Sequence, residues 1–230
     1  MGSESSSMNV TQPNLFIYTE STTGAVELFP AVWGALENLT DPHLAARKRA
    51  VERLEELGAA RVSPLVAYML ATRLVDPDIQ LRSRVARILG DVLSPDEHGQ
   101  TTPDNVCSRL NAYLAQMRIP AILDLIEIVI NKPALGSYVA RLLNACPYAG
   151  DHLAEILADR KIPLPVRDRA ARFIGMVGFL DAIPALERMQ TRLETRLSGQ
   201  QAMPFAPPPV PNETDLLPAI QVALDLLRAS

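Results

Sequence analysis

Residues 62–93 read VSPLVAYMLATRLVDPDIQLRSRVARILGDVL. Apolar residues recur at helical intervals on both sides of Asp76-Pro77, which predicts two helices, 62–75 and 78–93, joined by a tight turn. Pro64 stands near the start of the first helix, where the N–H that proline lacks has no intrahelical partner. Arg82 follows Asp76 by six residues and falls in the second turn of the second helix. Upstream, residues 26–58 read VELFPAVWGALENLTDPHLAARKRAVERLEELG and say nearly the same thing. Asp41, Pro42 and Arg47 recur as Asp76, Pro77 and Arg82, shifted by 35, and Pro30 recurs as Pro64, shifted by 34.

A longer offset links the two ends of the chain. LGAARVSPLVAYM at 57–69 returns as VGFLDAIPALERM at 177–189. Extended backward, Arg47, Ala50, Val51, Leu54 and Gly58 align with Arg167, Ala170, Ala171, Ile174 and Gly178, always 120 residues apart. Repetition at a period near 35 is the mark of stacked helical hairpins.

Each repeat carries a legible chemistry. The Asp is expected to cap the following helix, and the Pro to preset its first turn. The Arg can reach back to an Asp of its own or a neighbouring turn. Asp41, Arg47, Asp76, Arg82 and Arg167 would then form a ladder, each pair adding about 1 kcal/mol where partly buried. The small and apolar residues behind each Arg let helices approach closely.

On these residues the chain resembles HEAT-repeat proteins: helix, Asp-Pro turn, Arg-bearing second helix. The segment IPLPVRDRAARFIGMVG at 162–178 keeps Arg167 but has Lys161 where the Asp would stand. The resemblance covers 26–93 and 162–197, while 104–160 rests on helical periodicity alone. It implies an all-α, right-handed α-solenoid of about five stacked hairpins.

Periodicity places helices at 26–39, 43–57, 62–75, 78–93, 104–117, 119–131, 134–145, 149–159, 164–178, 181–197 and 213–229. The 120-residue offset pairs the second of these with the ninth, an odd number of helices apart, so either one middle repeat has three helices or one of these helices is a division of a longer one; an irregular middle repeat is the favoured reading. Pro133 and Pro147 flank the helix at 134–145 and point there. The domain reading is a flexible tail at 1–25, a repeat domain at 26–197, a Pro-rich loop at 198–212 and a capping helix at 213–230. QQAMPFAPPPVP at 200–211 is a surface loop or, through Pro204–Pro207 and Pro208–Pro211, a polyproline ligand.

Composition narrows the function classes. Net charge is −4, against the basic footprint usual for a nucleic-acid binder. The most apolar window, IPAILDLIEIVI at 119–130, is broken by Asp124 and Glu127 and predicts no membrane span. The start, MGSESSSMNV, lacks the apolar stretch of a secretory signal and reads as a polar tail, although Gly2 and Ser6 fit a loose myristoylation pattern. Cys107 and Cys146 are expected to be reduced thiols in helices, so the chain is placed in the cytoplasm. Basic residues are almost all Arg, which suggests a GC-rich, bacterial genome.

Converging reactive groups are not evident. His43, His98 and His152 are scattered, with no metal-ligand spacing. There is no His-Glu pair of the kind used by HEAT-like iron hydroxylases, and an acidic chain does not suit HEAT-like DNA glycosylases. Gly175 and Gly178 lie within a helical pattern and read as helix termination or close packing rather than a phosphate loop. No catalytic residue, metal or cofactor is assigned.

Arg49, Arg84 and Arg169 each follow a ladder Arg by two residues, and Arg53, Arg87 and Arg172 lie about one turn further on. Two readings stand. The six arginines form a basic stripe on the second helices that docks an acidic protein or peptide surface. Otherwise they form a solvated face balanced by Glu52, Glu55, Glu56 and Asp91. The functional expectation is a non-catalytic scaffold or adaptor that binds another protein. The alternative is a protein similar to the HEAT-like phycobilin lyases, with a tetrapyrrole in its concavity.

Overall fold

The computed structural model describes residues 29–201 and 213–229. The expectations for the tail at 1–25, the myristoylation pattern and the two polyproline pairs lie outside those residues. Among the described residues every regular element is helical and there is no strand.

The chain runs through α1 (Pro30–Asn38), α2 (Leu44–Glu56), α3 (Ala59–Val62), α4 (Pro64–Ala71), α5 (Ile79–Val92) and α6 (Asp104–Leu114). It continues through α7 (Ile119–Asn131), α8 (Gly136–Asn144), α9 (Ala149–Ala158), α10 (Leu164–Val177), α11 (Ile183–Gln201) and α12 (Leu217–Ala229). Short 3₁₀ turns occupy Thr72–Val75, Pro133–Leu135, Leu180–Ala182 and Glu213–Leu216. Helix α11 extends four residues into the segment read as loop.

The structure adds a short helix, α3, in the interval left between the predicted helices at 43–57 and 62–75. At Ser63 the backbone is extended (φ −120°, ψ 118°), and the Ser63 hydroxyl accepts a hydrogen bond from Val66 N at 3.1 Å. With Pro64 at the first helical position, this cap restarts the helix and leaves Ala59–Val62 as a separate turn.

The Asp-Pro turns also work differently from the expectation. Asp41 and Asp76 do not cap α2 and α5. Asp41 Oδ1 accepts from His43 N at 2.7 Å and Asp76 Oδ1 from Asp78 N at 3.0 Å, so each closes a turn two residues long. The cap of α5 is Asp78, which accepts from Leu81 N at 2.8 Å. Pro42 and Pro77 therefore stand before the cap and not in the first helical turn. Asp159 closes a turn of the same kind with Lys161 N at 2.9 Å, two residues before the position at which the sequence lacks its Asp.

The 120-residue repetition has a shared geometry. Gly58 (φ +60°) follows the end of α2, and Gly178 (φ +88°) ends α10. Both adopt the left-handed conformation that side-chain-bearing residues resist. Ahead of them, Ala50, Val51 and Leu54 are buried, as are Ala170, Ala171 and Ile174.

Helices α2, α5, α8, α10 and α12 touch one another in succession, while α1, α4, α7, α9 and α11 each pack beside one of them. The odd helix is α6, which lies chiefly against α4. There Tyr68 and Tyr113 meet edge to face at 5.7 Å, and the Arg109 guanidinium lies 4.7 Å from the Tyr68 ring centre. The helix that stands outside this contact series is thus α6 and not α8, which continues the series from α5 to α10. One apolar core runs from Val32 on α1 to Leu227 on α12.

Candidate docking surface

Of the ladder arginines, Arg82 and Arg167 are buried and Arg47 is partly buried. Arg47 forms a two-pronged ion pair with Asp76, Nε to Oδ2 at 2.8 Å and Nη2 to Oδ1 at 3.1 Å. Its Nη1 donates to the carbonyl of Asp41, six residues back, at 3.0 Å. Arg82 repeats the backbone bond, Nη1 to Asp76 O at 2.8 Å, and directs Nη2 at Glu127, with Asp124 3.9 Å away. Burial pushes the Asp124 carboxyl up from its ordinary value, and the Arg82 charge opposes the rise. Arg167 donates Nε to Leu157 O at 2.7 Å and Nη2 to Glu213 Oε1 at 2.6 Å. A guanidinium of this shape clamps one hairpin turn through its carbonyl and the next element through a carboxylate. Only the first rung takes its carboxylate from an Asp-Pro turn. Glu127 and Glu213 serve Arg82 and Arg167, and neither belongs to the repeating pattern.

The six arginines of the predicted stripe differ in their surroundings. Arg84 donates to Glu52 and Glu55 of α2, and Arg87 donates to Glu55. Burial opposes the Arg84 charge, but its bonds to Glu55 and Glu52 outweigh that and raise its pKa. Arg53 pairs with Glu56 at 3.2 Å and Arg172 with Asp168 at 2.8 Å, each along its own helix. Arg169 has its Nε buried without a hydrogen-bond partner. Arg49 is exposed and forms no ion pair among the described residues. The stripe on α2 and α5 is therefore largely neutralised across the seam.

That seam opens into a cavity of about 430 Å³. Lys48 and Glu52 of α2, Arg84 and Arg87 of α5, and Lys132 after α7 line it over a floor that includes Val51 and Leu81. Lys48 pairs with Asp78 at 3.1 Å, while Lys132 donates to the neutral Gln80. Ser83 also lines the cavity, and its buried hydroxyl has no partner. Sequence reading reached Arg84 and Arg87. It missed Lys48, Ser83 and Lys132, because Lys132 comes from a helix end 45 residues beyond Arg87.

A second charged corner also escaped sequence reading. Glu213 is buried where α10, α11 and the turn before α12 meet. Around it stand Arg167, Arg192 at 3.0 Å, Arg160 at 3.3 Å and Arg196 at 3.5 Å. Burial alone would raise this carboxyl. The Arg167 hydrogen bond, with the charges of Arg192, Arg167 and Arg160, reverses the effect and holds it below its ordinary value.

The histidines stay apart in chemistry. His43 is exposed with Nδ1 3.0 Å from Asp41, His98 lies exposed in the loop after α5, and both ring nitrogens of His152 are buried without partners. Among the described residues no group of three His, Cys, Asp or Glu could hold a metal ion. Cys107 and Cys146 are free thiols, and burial pushes both up from their ordinary value. No described helix is long and apolar enough to cross a membrane. No protein-family model matches the chain, and no curated protein matches its sequence.

Proposed function

We propose that the chain is a HEAT-like α-solenoid that works as a cytoplasmic scaffold, presenting the face of α2 and α5 to an acidic surface on another protein. The observation that carries this reading is the open, cation-lined groove between α2, α5 and the α7–α8 turn, set on helices that pack in succession. Stacked hairpins present broad faces suited to extended partners. Free cysteines fit a reducing compartment.

The test uses Arg49, since Arg84 is engaged with two glutamates and its reversal would disturb the seam. Full-length chain carrying a photo-crosslinker beside the groove is compared with Arg49→Glu in cell extract. Loss of a crosslinked acidic protein in the variant, with an unchanged melting temperature, supports the proposal. The same crosslinks in both proteins, or none in either, overturn it.

A further inference from the structure

The stripe on α2 and α5 is matched by carboxylates; the charge on α11 is not. Arg188, Arg192 and Arg196 recur at intervals of four along α11 and so share one face. Of the two glutamates of that helix, Glu187 accepts from Arg228 at 2.9 Å, and Glu194, two residues from both Arg192 and Arg196, lies on another face of α11, where it accepts from the neutral Gln190 at 2.8 Å. Arg160 joins the row from the turn before α10. Glu213 sits against it, Oε1 accepting from Arg167 and Arg192 while Oε2 faces Arg160 and Arg196. Arg188 forms no ion pair among the described residues. Even counting Asp215 on the Glu213 turn, these five guanidinium groups stand against two carboxylates, and three positive charges are left over. Arg160, Arg192 and Arg196 remain 63%, 45% and 47% exposed, with N–H groups to spare.

We propose that this corner is a binding site for a phosphomonoester dianion, held by Arg160, Arg188, Arg192 and Arg196. Glu213 already shows that the guanidinium groups converge on a pair of anionic oxygens. A phosphoryl group presents three more, carries nearly two negative charges at neutral pH, and suits several guanidiniums at once. A single carboxylate would neutralise only one of the three remaining charges. Nucleic acid fits less well: α11 has no aromatic side chain for base stacking, and the chain as a whole is acidic. The same net charge of −4 opposes an anionic bilayer.

The test measures binding to the full chain by calorimetry at fixed ionic strength. The probes are inorganic phosphate, a phosphoserine tripeptide, its unphosphorylated form and triglutamate. Phosphate and the phosphotripeptide are expected to bind and to compete with one another. Affinity should rise as pH increases through about 6, where the monoester gains its second charge. The tighter of the two phosphates identifies the source as free or peptide-borne. The double variant Arg192→Gln/Arg196→Gln should weaken binding about tenfold or more. Arg188→Gln, which breaks no ion pair, should weaken it less. Arg172→Gln, an equal change of charge on α10, should leave it unaltered. Circular dichroism confirms that the variants fold. Equal losses in Arg172→Gln and Arg188→Gln, tighter binding of triglutamate, or wild-type affinity in the double variant would each overturn the site. None of these outcomes touches the α2–α5 groove, so the scaffold reading stands or falls separately.

Discussion

Eight residues beyond the ladder arginine, α2 carries Glu55 and α10 carries Gly175. The two seams diverge at that position. At the α10–α12 seam, a Cβ on Gly175 would come within 2.6 Å of the Ala223 Cα, so the backbones are in direct contact. Helix α5 follows the same rule against α8, where Gly90 lies under Tyr138 and a Cβ would meet its Cα at 2.9 Å. At the α2–α5 seam Glu55 holds Arg84 and Arg87 instead, and the groove opens beside them. One register of one repeated helix thus decides between a closed apolar seam and an open charged one. Close packing and charge also separate by location: around Gly175 the charge is displaced to the Glu213 corner at the helix edge.

The comparison breaks most severely at that corner. Glu213→Gln would leave the buried Arg167 without its counter-charge, and we expect a loss of about 3 kcal/mol in urea unfolding. The pH dependence gives the sign. The folded pKa of Glu213 lies below the ordinary 4.5, so its stabilisation is complete above 4.5 and is withdrawn as pH falls through the folded value. Wild-type stability should therefore fall in acid more steeply than that of Glu213→Gln. Parallel pH profiles would show that Glu213 holds no charge-dependent share of the fold.

The fold and the ladder differ in how far the sequence revealed them. Arg47, Arg82 and Arg167 were legible because each repeats with its neighbours at a constant offset. Their carboxylate partners were legible only for Arg47, since Asp76 is itself part of the repeat. Glu127 lies in the middle of α7 and Glu213 beyond a proline-rich stretch, at separations of 45 and 46 residues that no local pattern marks. The turn chemistry misled for a related reason. Asp-Pro reads as a cap and first turn, but Asp78 is a better-placed cap for α5, which frees Asp76 to serve both the turn and Arg47. The stripe arginines were located by register, yet neutralisation by Glu52 and Glu55 depends on how α2 and α5 face each other. The arginine row on α11, ERMQTRLETRLSG, repeats nowhere else in the chain, so no constant offset marks it.

A smaller effect sharpens the seam comparison directly. Gly175→Ala must push α10 and α12 apart by some tenths of an ångström, and overpacking of this kind costs about 1–3 kcal/mol. By contrast, Gly34→Ala on α1 meets nothing within 4 Å and should be neutral or slightly stabilising through helix propensity. Thermal unfolding of the pair checks this. A tolerated Gly175→Ala would mean that the α10–α12 seam has slack, and the contrast with α2–α5 would lose its basis.

The smallest expected change lies in the charged seam itself. Glu55 is partly exposed, and Arg84 retains Glu52 when Glu55 is neutralised. Glu55→Gln should therefore cost only about 0.5 kcal/mol, within the range of surface pairs, and less in high salt. Its other consequence is electrostatic. With Glu55 gone, Lys48, Arg84, Arg87 and Lys132 line the groove against the single carboxylate of Glu52. If the groove takes an acidic partner, Glu55→Gln should tighten that association while stability falls slightly, and Arg49→Glu should weaken it with stability unchanged. Weakened association in both variants would mean that Glu55 contacts the partner or holds Arg84 and Arg87 in their binding poses. The seam would then act through its ion pairs rather than through excess positive charge.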